Sequence, residues 1–487
     1  MAHLASDLRD QAVRAAVEQG LLSETEPVVA LVDIAGVRAS AAALRSAFEE
    51  LTGAPVLHAF AVKAAPLVPV LRLLDAEGIG AEVASPGELA LALAAGVRPE
   101  RIVLDSPAKT RAELAEALRL GIAVNADNFQ ELDRIDALAG TGTGSGTGTR
   151  SGTGTGSGTG RGTDSGPGSG FGPGSGFGPG SGFGPGSDPG PGRSRLGLRV
   201  NAQIGAGAIG ALSTATATSK FGVALRDEGA RERIVRACLD RPWLTRLHTH
   251  SGSQGLGLEL MTQGVLAVYE LAEEINAAAG RQQIDTVDIG GGLPVNFASD
   301  EETPTFADYA RALRDAVPGL FDGRYGLVTE FGRSLLAKHG TVLARVEYTK
   351  TTGARPIAVT HAGVQVATRT VYDPAAWPLR IAAYDAKGAP KAGDAVVQDV
   401  AGPACFAGDL LAEARELPLL EPGDVVAALD TGAYYFSSHY AYNSLARPGV
   451  HGFRADAAGV RFTTVRAPQT VEQIVAESGG DRPDALL

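Results

Sequence analysis

The residues best suited to chemistry in this chain stand where apolar runs end. Lys63 closes the run Val56-Leu57-His58-Ala59-Phe60-Ala61-Val62, which is bounded by Pro55 and Pro66. Such a run reads as a buried parallel strand with Lys63 at its carboxyl end. A lysine there has two uses. Desolvated, it sheds its proton and becomes a Schiff-base nucleophile; otherwise it carries its ammonium to water along an apolar stem. A later run ends in His248-Thr249-His250-Ser251-Gly252-Ser253-Gln254. Alternation along a strand points both histidines the same way, an arrangement open to a metal. The next run leads into Gly290-Gly291-Gly292. Successive N–H groups in such a turn suit a phosphate, with the Ser253 hydroxyl as a further donor, although three glycines also make a plain tight turn. A last run ends in Thr329-Glu330-Phe331-Gly332-Arg333, which adds an acid and a guanidinium.

Positioning these groups requires a regular frame, and the chain has the rhythm of one. Strand-like runs recur at 56–62, 79–84, 101–105, 121–125, 196–201, 246–250, 285–290 and 326–331, alternating with helix-like patterns such as Pro86 to Ala95 and Leu256 to Ala279. Eight such units predict an α/β fold, a (β/α)₈ TIM-like barrel whose chemistry gathers at the carboxyl ends of its strands. The barrel domain is expected over 28–336, with 28–34 as a strand at its start. Residues 1–27 read as a helical segment with Leu4, Leu8, Val13, Val17 and Leu21 on its apolar side. From about residue 337, short strands at 341–348, 357–359, 379–383, 425–428 and 460–465 predict a mainly β C-terminal domain over 337–487. Residues 140–194 are nearly all Gly, Ser, Thr and Pro, with Phe171, Phe177 and Phe183 six apart. That composition cannot offset its ordering entropy, so a disordered insert is expected, on the barrel face opposite the chemistry.

Composition narrows the function. The chain of 487 residues, 44% hydrophobic and 20% charged, can bury a large core and hold two domains. Its 43 basic and 55 acidic residues give a net charge of −12, which disfavours nucleic acid or an anionic membrane as partner. Two cysteines, Cys238 and Cys405, make no disulfide framework. No apolar run is long enough to span a bilayer, and the amino terminus lacks a secretory core, so a cytoplasmic enzyme is expected.

In their types and order these motifs resemble the fold-type III pyridoxal-phosphate decarboxylases, the family of diaminopimelate, ornithine and arginine decarboxylases. The resemblance spans about residues 28–465 without the Gly-rich insert. It implies a pyridoxal 5′-phosphate cofactor, an amino-acid substrate, and a barrel followed by a β domain. Lys63 would be the Schiff-base lysine and Glu82 would lie beside the cofactor. Arg199, Lys220 and Phe221 match two further family segments. His250 would stack on the pyridine face rather than bind metal, and no metal is expected. Ser253 and the turn Gly290, Gly291 and Gly292 would meet the phosphate. Glu330 would pair with the pyridine nitrogen, keeping it protonated so that the ring accepts the electron pair left by departing CO₂. Arg333 would hold phosphate or a substrate carboxylate. In the β domain, Cys405 resembles the catalytic cysteine, suited to returning a proton, and Tyr434 the tyrosine that reaches the phosphate. The family site forms between two subunits, which implies a homodimer with Cys405 facing the lysine of the other chain.

Departures fall on the substrate side. Family members acting on a distal ammonium follow the cysteine with an acid, whereas Cys405 is followed by Phe406 and Ala407. Relatives carry Glu-Pro-Gly-Arg where this chain has Glu330-Phe331-Gly332-Arg333, and an Arg and Tyr four apart where it offers Arg369 and Tyr372, three apart. Arg333, Arg369, Tyr372 and Phe406 are therefore the expected substrate contacts, for an amino acid other than diaminopimelate or ornithine, free or conjugated. Two other readings share the fold. A racemase would use a tyrosine as opposing base, against which the cysteine turn speaks. A non-catalytic binding or regulatory homologue would have lost cofactor contacts that this chain keeps.

Overall fold

The computed structural model describes residues 2–140 and 194–487, so the insert expected at 140–194 lies, except for its two end residues, outside the described residues. Eight parallel strands close into a barrel: β2 (Val56–Ala61), β3 (Gly80–Val83), β4 (Ile102–Asp105), β5 (Ala123–Ala126), β6 (Leu196–Asn201), β8 (Leu244–His248), β9 (Thr286–Asp288) and β10 (Gly326–Thr329). The two-residue β7 (Val223–Ala224) hangs on the edge of β6. Closure comes from β10 pairing with β2 and from β5 pairing with β6, across the point where the insert leaves the chain. All eight strands fall within the runs expected from sequence or within two residues of them, because strands covered on both faces need unbroken apolar stretches.

Helices cover the outside. Leu258–Ala279 turns Met261, Val265, Val268, Leu271, Ala272 and Ile275 inward, the three-and-four spacing of a single helical face. Arg111–Leu120 opens on a Thr110–Glu113 capping box and closes on Gly121 in the left-handed region, which stops it one turn before β5. Among the described residues no helix is long and apolar enough to cross a membrane.

The second unit is a nine-stranded mixed sheet ordered β15-β14-β12-β11-β1-β17-β18, with β16 joining β11 to β13. Its strands are β1 (Val28–Asp33), β11 (Gly340–Thr352), β12 (Arg355–Thr360), β13 (Ile381–Tyr384), β14 (Ala395–Ala401), β15 (Leu410–Pro418), β16 (Val425–Ala428), β17 (Gly449–Asp456) and β18 (Gly459–Arg466). Here the structure corrects one expectation. The strand at 28, placed with the barrel by sequence, pairs antiparallel with β11 and parallel with β17. A buried run of Val, Ala and Leu fits either sheet, and its partners lie more than three hundred and more than four hundred residues downstream, beyond what local pattern can report. The N-terminal helix Ala2–Glu18 follows β1 onto this sheet, packing Ala12, Val13 and Ala16 against Val29, Leu31, Leu343 and Val425.

Candidate active site

Strand alternation builds the site. Ala59, Val103, Ala123 and Val328, from four strands, form an apolar floor inside the barrel. Side chains two residues further along point the same way one layer higher. That step turns Val103 into Asp105, Ala123 into Asn125 and Val328 into Glu330, and two such steps carry Ala59 to Lys63. On the opposite wall Arg199, His248 and Asp288 lie side by side in register. The result is a layer of buried charge resting on hydrocarbon at the carboxyl ends of the strands.

Lys63 sits in a 3₁₀ turn directly after β2, and its Nζ donates to Glu82 Oε2 at 2.7 Å. Barrel walls surround it, yet 46% of its side chain is accessible because it lines the open mouth. Burial works against its charge, but Glu82, Tyr434 and Glu330 outweigh that and hold the ammonium above its ordinary pKa. This corrects the expectation that desolvation alone would free the amine: the carboxylate beside it keeps the proton on. Glu82 is itself fully buried, its pKa raised by burial, and its Oε1 has no partner among the described residues.

Asp105 accepts from Arg199 Nη1 at 2.9 Å. Despite burial, Arg199, His248 and Lys109 hold its carboxyl below the usual range. His248 lies with Nδ1 3.6 Å from Asp105 and Nε2 3.4 Å from Glu330, and burial lowers its pKa, so the ring is neutral. Burial, with the Asp105 and Glu82 charges, pushes Glu330 well above the usual carboxylate range, and its Oε1 is unpartnered. Asp288, raised to about 7 by burial and by Glu330, accepts from Asn125 Nδ2 at 3.0 Å and from the Gly290 N–H at 3.1 Å. Asp105, His248 and Glu330 bring ligand-type atoms within 4.8 Å of one another, but the Arg199 guanidinium already supplies the positive charge there.

The glycine turn is dictated by crowding. A Cβ on Gly291 would stand 2.2 Å from the Glu330 carbonyl oxygen, and one on Gly292 2.1 Å from that of Gly252. Two of its N–H groups are engaged: Gly290 donates to Asp288, and Gly291 donates to His250 Nδ1 at 3.0 Å. Of the three, only Gly292 keeps its N–H unengaged among the described residues, fewer donors than the motif suggested. The bond from Gly291 makes Nδ1 of His250 an acceptor, so its ring proton lies on Nε2. Burial, with Arg199 and Lys63, keeps that ring neutral. Ser253 donates its N–H to the Leu212 carbonyl. Phe221 receives the Arg199 guanidinium at 4.4 Å and the Lys220 ammonium at 5.0 Å.

Beside the mouth, Arg333 and Arg369 share two rings. Both guanidiniums lie 4.5 Å from the Tyr434 centroid, and they lie 4.7 and 5.0 Å from Trp377. Among the described residues neither guanidinium has a carboxylate partner, and Nε and Nη1 of Arg333 and Nη1 of Arg369 are buried without a hydrogen bond. Burial and the neighbouring Arg369 lower Arg333 to about 10. Two cations left with open donors make an anion site. Tyr434 is fixed in a left-handed conformation at φ 65° by donating its N–H to the Ala64 carbonyl at 2.8 Å, which ties the second sheet to the Lys63 turn.

Cys405 is exposed on a turn of the β unit, its N–H donating to Asn443 Oδ1 at 2.7 Å. Tyr372 is also exposed and lies parallel to Phe406, with centroids 5.9 Å apart. Sequence reading had not singled out Asp105, Asn125, Arg246 and Asp288 as site residues, and it weighed His248 only as a possible metal partner of His250. The signal for most of them was there, two residues beyond an apolar inward position, though a lone polar residue ending a strand is common.

The profile of the family described as "Pyridoxal-dependent decarboxylase, pyridoxal binding domain" matches residues 35–172 and 188–337. Diaminopimelate decarboxylase of Pseudomonas aeruginosa is 30% identical over 435 residues, covering 89% of this chain and 88% of that protein. Diaminopimelate decarboxylase of Aquifex aeolicus is 28% identical over 402 residues, 82% of this chain and 80% of that protein. In fold, the chain is similar to the crystal structure of diaminopimelate decarboxylase from Helicobacter pylori complexed with L-lysine, with a TM-score of 0.74, 24% identity, and coverage of 95% of this chain and 100% of that one.

Proposed function

The chain belongs to the pyridoxal-dependent decarboxylases, and from that premise we propose that its barrel mouth removes the α-carboxylate of an amino acid whose far end is not a bare ammonium. The residues present fit pyridoxal 5′-phosphate. A lysine amine lines the mouth, a buried Glu330 oxygen lacks a partner, and the glycine turn is packed too tightly for any side chain to intrude. Lys63 would hold the cofactor covalently. Glu330 would face its ring nitrogen, His250 its ring, and Ser253 with Gly292 its phosphate. When bound, the pyridoxal ring supplies the sink for the electron pair released as CO₂ leaves.

The chain's own groups do the rest. Glu82 holds the Lys63 amine in place at the mouth and balances its charge. His248 and Asp105 brace Glu330 from behind, and Arg199 neutralises Asp105. The unpartnered donors of Arg333 and Arg369 would bind a substrate carboxylate. Cys405 would return a proton to the carbon that lost CO₂. Its exposure in a single chain supports a homodimer in which the turn covers the partner's barrel mouth.

The observation that carries the reading is the Lys63–Glu82 pair set above the Asp105–His248–Glu330 layer. Relatives named diaminopimelate decarboxylase share this chain's length, yet Phe406 stands where an acid would hold a distal ammonium. Incubating the holoenzyme with a panel of amino acids and trapping CO₂ tests the reading. Release is expected. Inversion without release would mark a racemase, and neither reaction a binding protein.

A further inference from the structure

Three segments of the β unit converge beside the arginine pair. Tyr372 lies on the helix Val364–Tyr372 that also carries Arg369; Phe406 follows Cys405; Tyr440 and Tyr442 come from a third segment. Their rings close a circuit. Tyr372 and Phe406 are parallel within 10° at 5.9 Å, and Tyr440 and Tyr442 within 23° at 6.0 Å. The cross pairs, Phe406–Tyr442 at 5.3 Å and Tyr372–Tyr440 at 6.1 Å, meet nearly edge to face. The segments are bound together as well: the Tyr440 N–H donates to the Gln365 carbonyl, and Asn443 accepts the Cys405 N–H. Asn443 and Ser444 both hold φ at 54°, a strained choice for serine. Yet Tyr372 is 58% and Tyr440 38% exposed, an unusual outlay of aromatic surface.

Among the described residues, neither acid that follows Cys405 on its own turn and strand is free to meet the rings. Asp409 is buried, with one oxygen accepting from the Val364 N–H at 2.6 Å and the other from the Ala404 N–H at 2.7 Å. Glycines 363 and 402 press so close that a Cβ on either would meet its carboxylate at 2.4 and 2.3 Å. Glu413 points to solvent, 67% accessible, 3.9 Å from Arg355. Asp373, beside Tyr372, accepts from the Ala376 N–H at 3.3 Å, so an ammonium arriving here would give up hydration chiefly for rings.

We infer that the substrate carries an uncharged, flat arm, aryl or acyl, and that Tyr372, Phe406, Tyr440 and Tyr442 receive it. The inference rests on the decarboxylase reading of the same site. Continuity supports this occupant. Phe406 is the residue after Cys405, so the rings face whichever substrate Cys405 would protonate, and Tyr372 lies one helical turn from Arg369 on the same helix. Edge-to-face neighbours offer a flat group both faces and edges.

Two probes with one amino-acid head isolate the arm: L-lysine and Nε-benzoyl-L-lysine, titrated calorimetrically into the holoenzyme. Benzoyl-lysine should bind about ten-fold or more tightly than lysine. Phe406→Ala and Tyr442→Ala should each bring that ratio to within about two-fold, and Phe406→Glu should reverse it in favour of lysine, a gain that misfolding cannot imitate. Sedimentation should give the same mass for all four proteins. Equal or weaker binding of benzoyl-lysine, or a preference that survives the alanine variants at unchanged mass, overturns the assignment. CO₂ release without the preference would sink the arm and leave the decarboxylase standing. The preference without CO₂ release would do the reverse.

Discussion

The barrel mouth and the Cys405 turn are built on opposite terms. In the mouth, Glu82, Asp105, Asp288 and Glu330 are buried together with Arg199 and Arg246, and each is aimed by a strand whose pleat leaves it no other direction. At the turn, the one buried acid is spent on holding the loop, and the surface offered is aromatic and exposed. A rigid frame can keep charges from water and set where their protons sit, which the electron bookkeeping of a decarboxylation requires. A loop platform can exchange an acid for a phenyl ring without disturbing that frame. The conserved chemistry and the altered substrate of this chain would thus live on different elements.

Substitutions on the two sides should separate accordingly. The largest effect belongs to the mouth. Lys63→Ala should lower CO₂ release on every substrate by about 10³-fold or more, some 4 kcal/mol of transition-state stabilisation. A loss confined to one substrate would put the lysine on the binding side instead. Cys405→Ala follows, at roughly 10²-fold in kcat with KM little changed, as expected of a proton donor. A rise in KM alone would make it a binding residue. Arg369→Ala bridges the regions and should raise KM about ten-fold with kcat nearly kept, the loss of a charge-assisted hydrogen bond.

The smallest effect is on stability. Burial and Glu330 raise Asp288 to about 7 from 3.8. Across that window the folded protein keeps a proton that the unfolded chain has released, so this group's contribution is greatest at acid pH and falls as pH rises from about 4 to about 7. Asp288→Asn should flatten that fall by roughly 5 °C in Tm. The amide can be accommodated, since Asn125 Oδ1 lacks a partner and can accept from it. An unchanged slope would place the titration elsewhere. At the turn, burial also raises Asp409 against the pull of its two N–H groups, so it should add a dependence of the same sign.

The same contrast explains what the sequence made legible. Barrel strands are continuous apolar runs, so all eight could be read, and Lys63 and Glu330, at the ends of two of them, lie at the barrel mouth, whereas Glu82 and Arg199 were reached only through the family resemblance. The arginines at 333 and 369 could be named but not joined, because their meeting on Tyr434 and Trp377 is a tertiary fact. Strands β14, β15 and β17 escaped notice, for they alternate with exposed charge or are broken by glycine. Tyr440 and Tyr442 carry no periodic signal at all. That the Gly290 and Gly291 N–H groups are spent on Asp288 and His250 could be learned only from the folded turn.

The central claim, that Lys63 and no other lysine carries the cofactor, has a direct measurement. Borohydride reduction of the holoenzyme, followed by proteolysis and peptide mapping, should place the pyridoxyl group on the peptide containing Lys63. Lys109 is the internal control: fully buried in the barrel, it is paired with Glu131 at 2.8 Å and with the Ser106 and Asn125 carbonyls at 2.6 and 2.9 Å. A label on Lys109, on Lys220, or on no lysine would contradict the account.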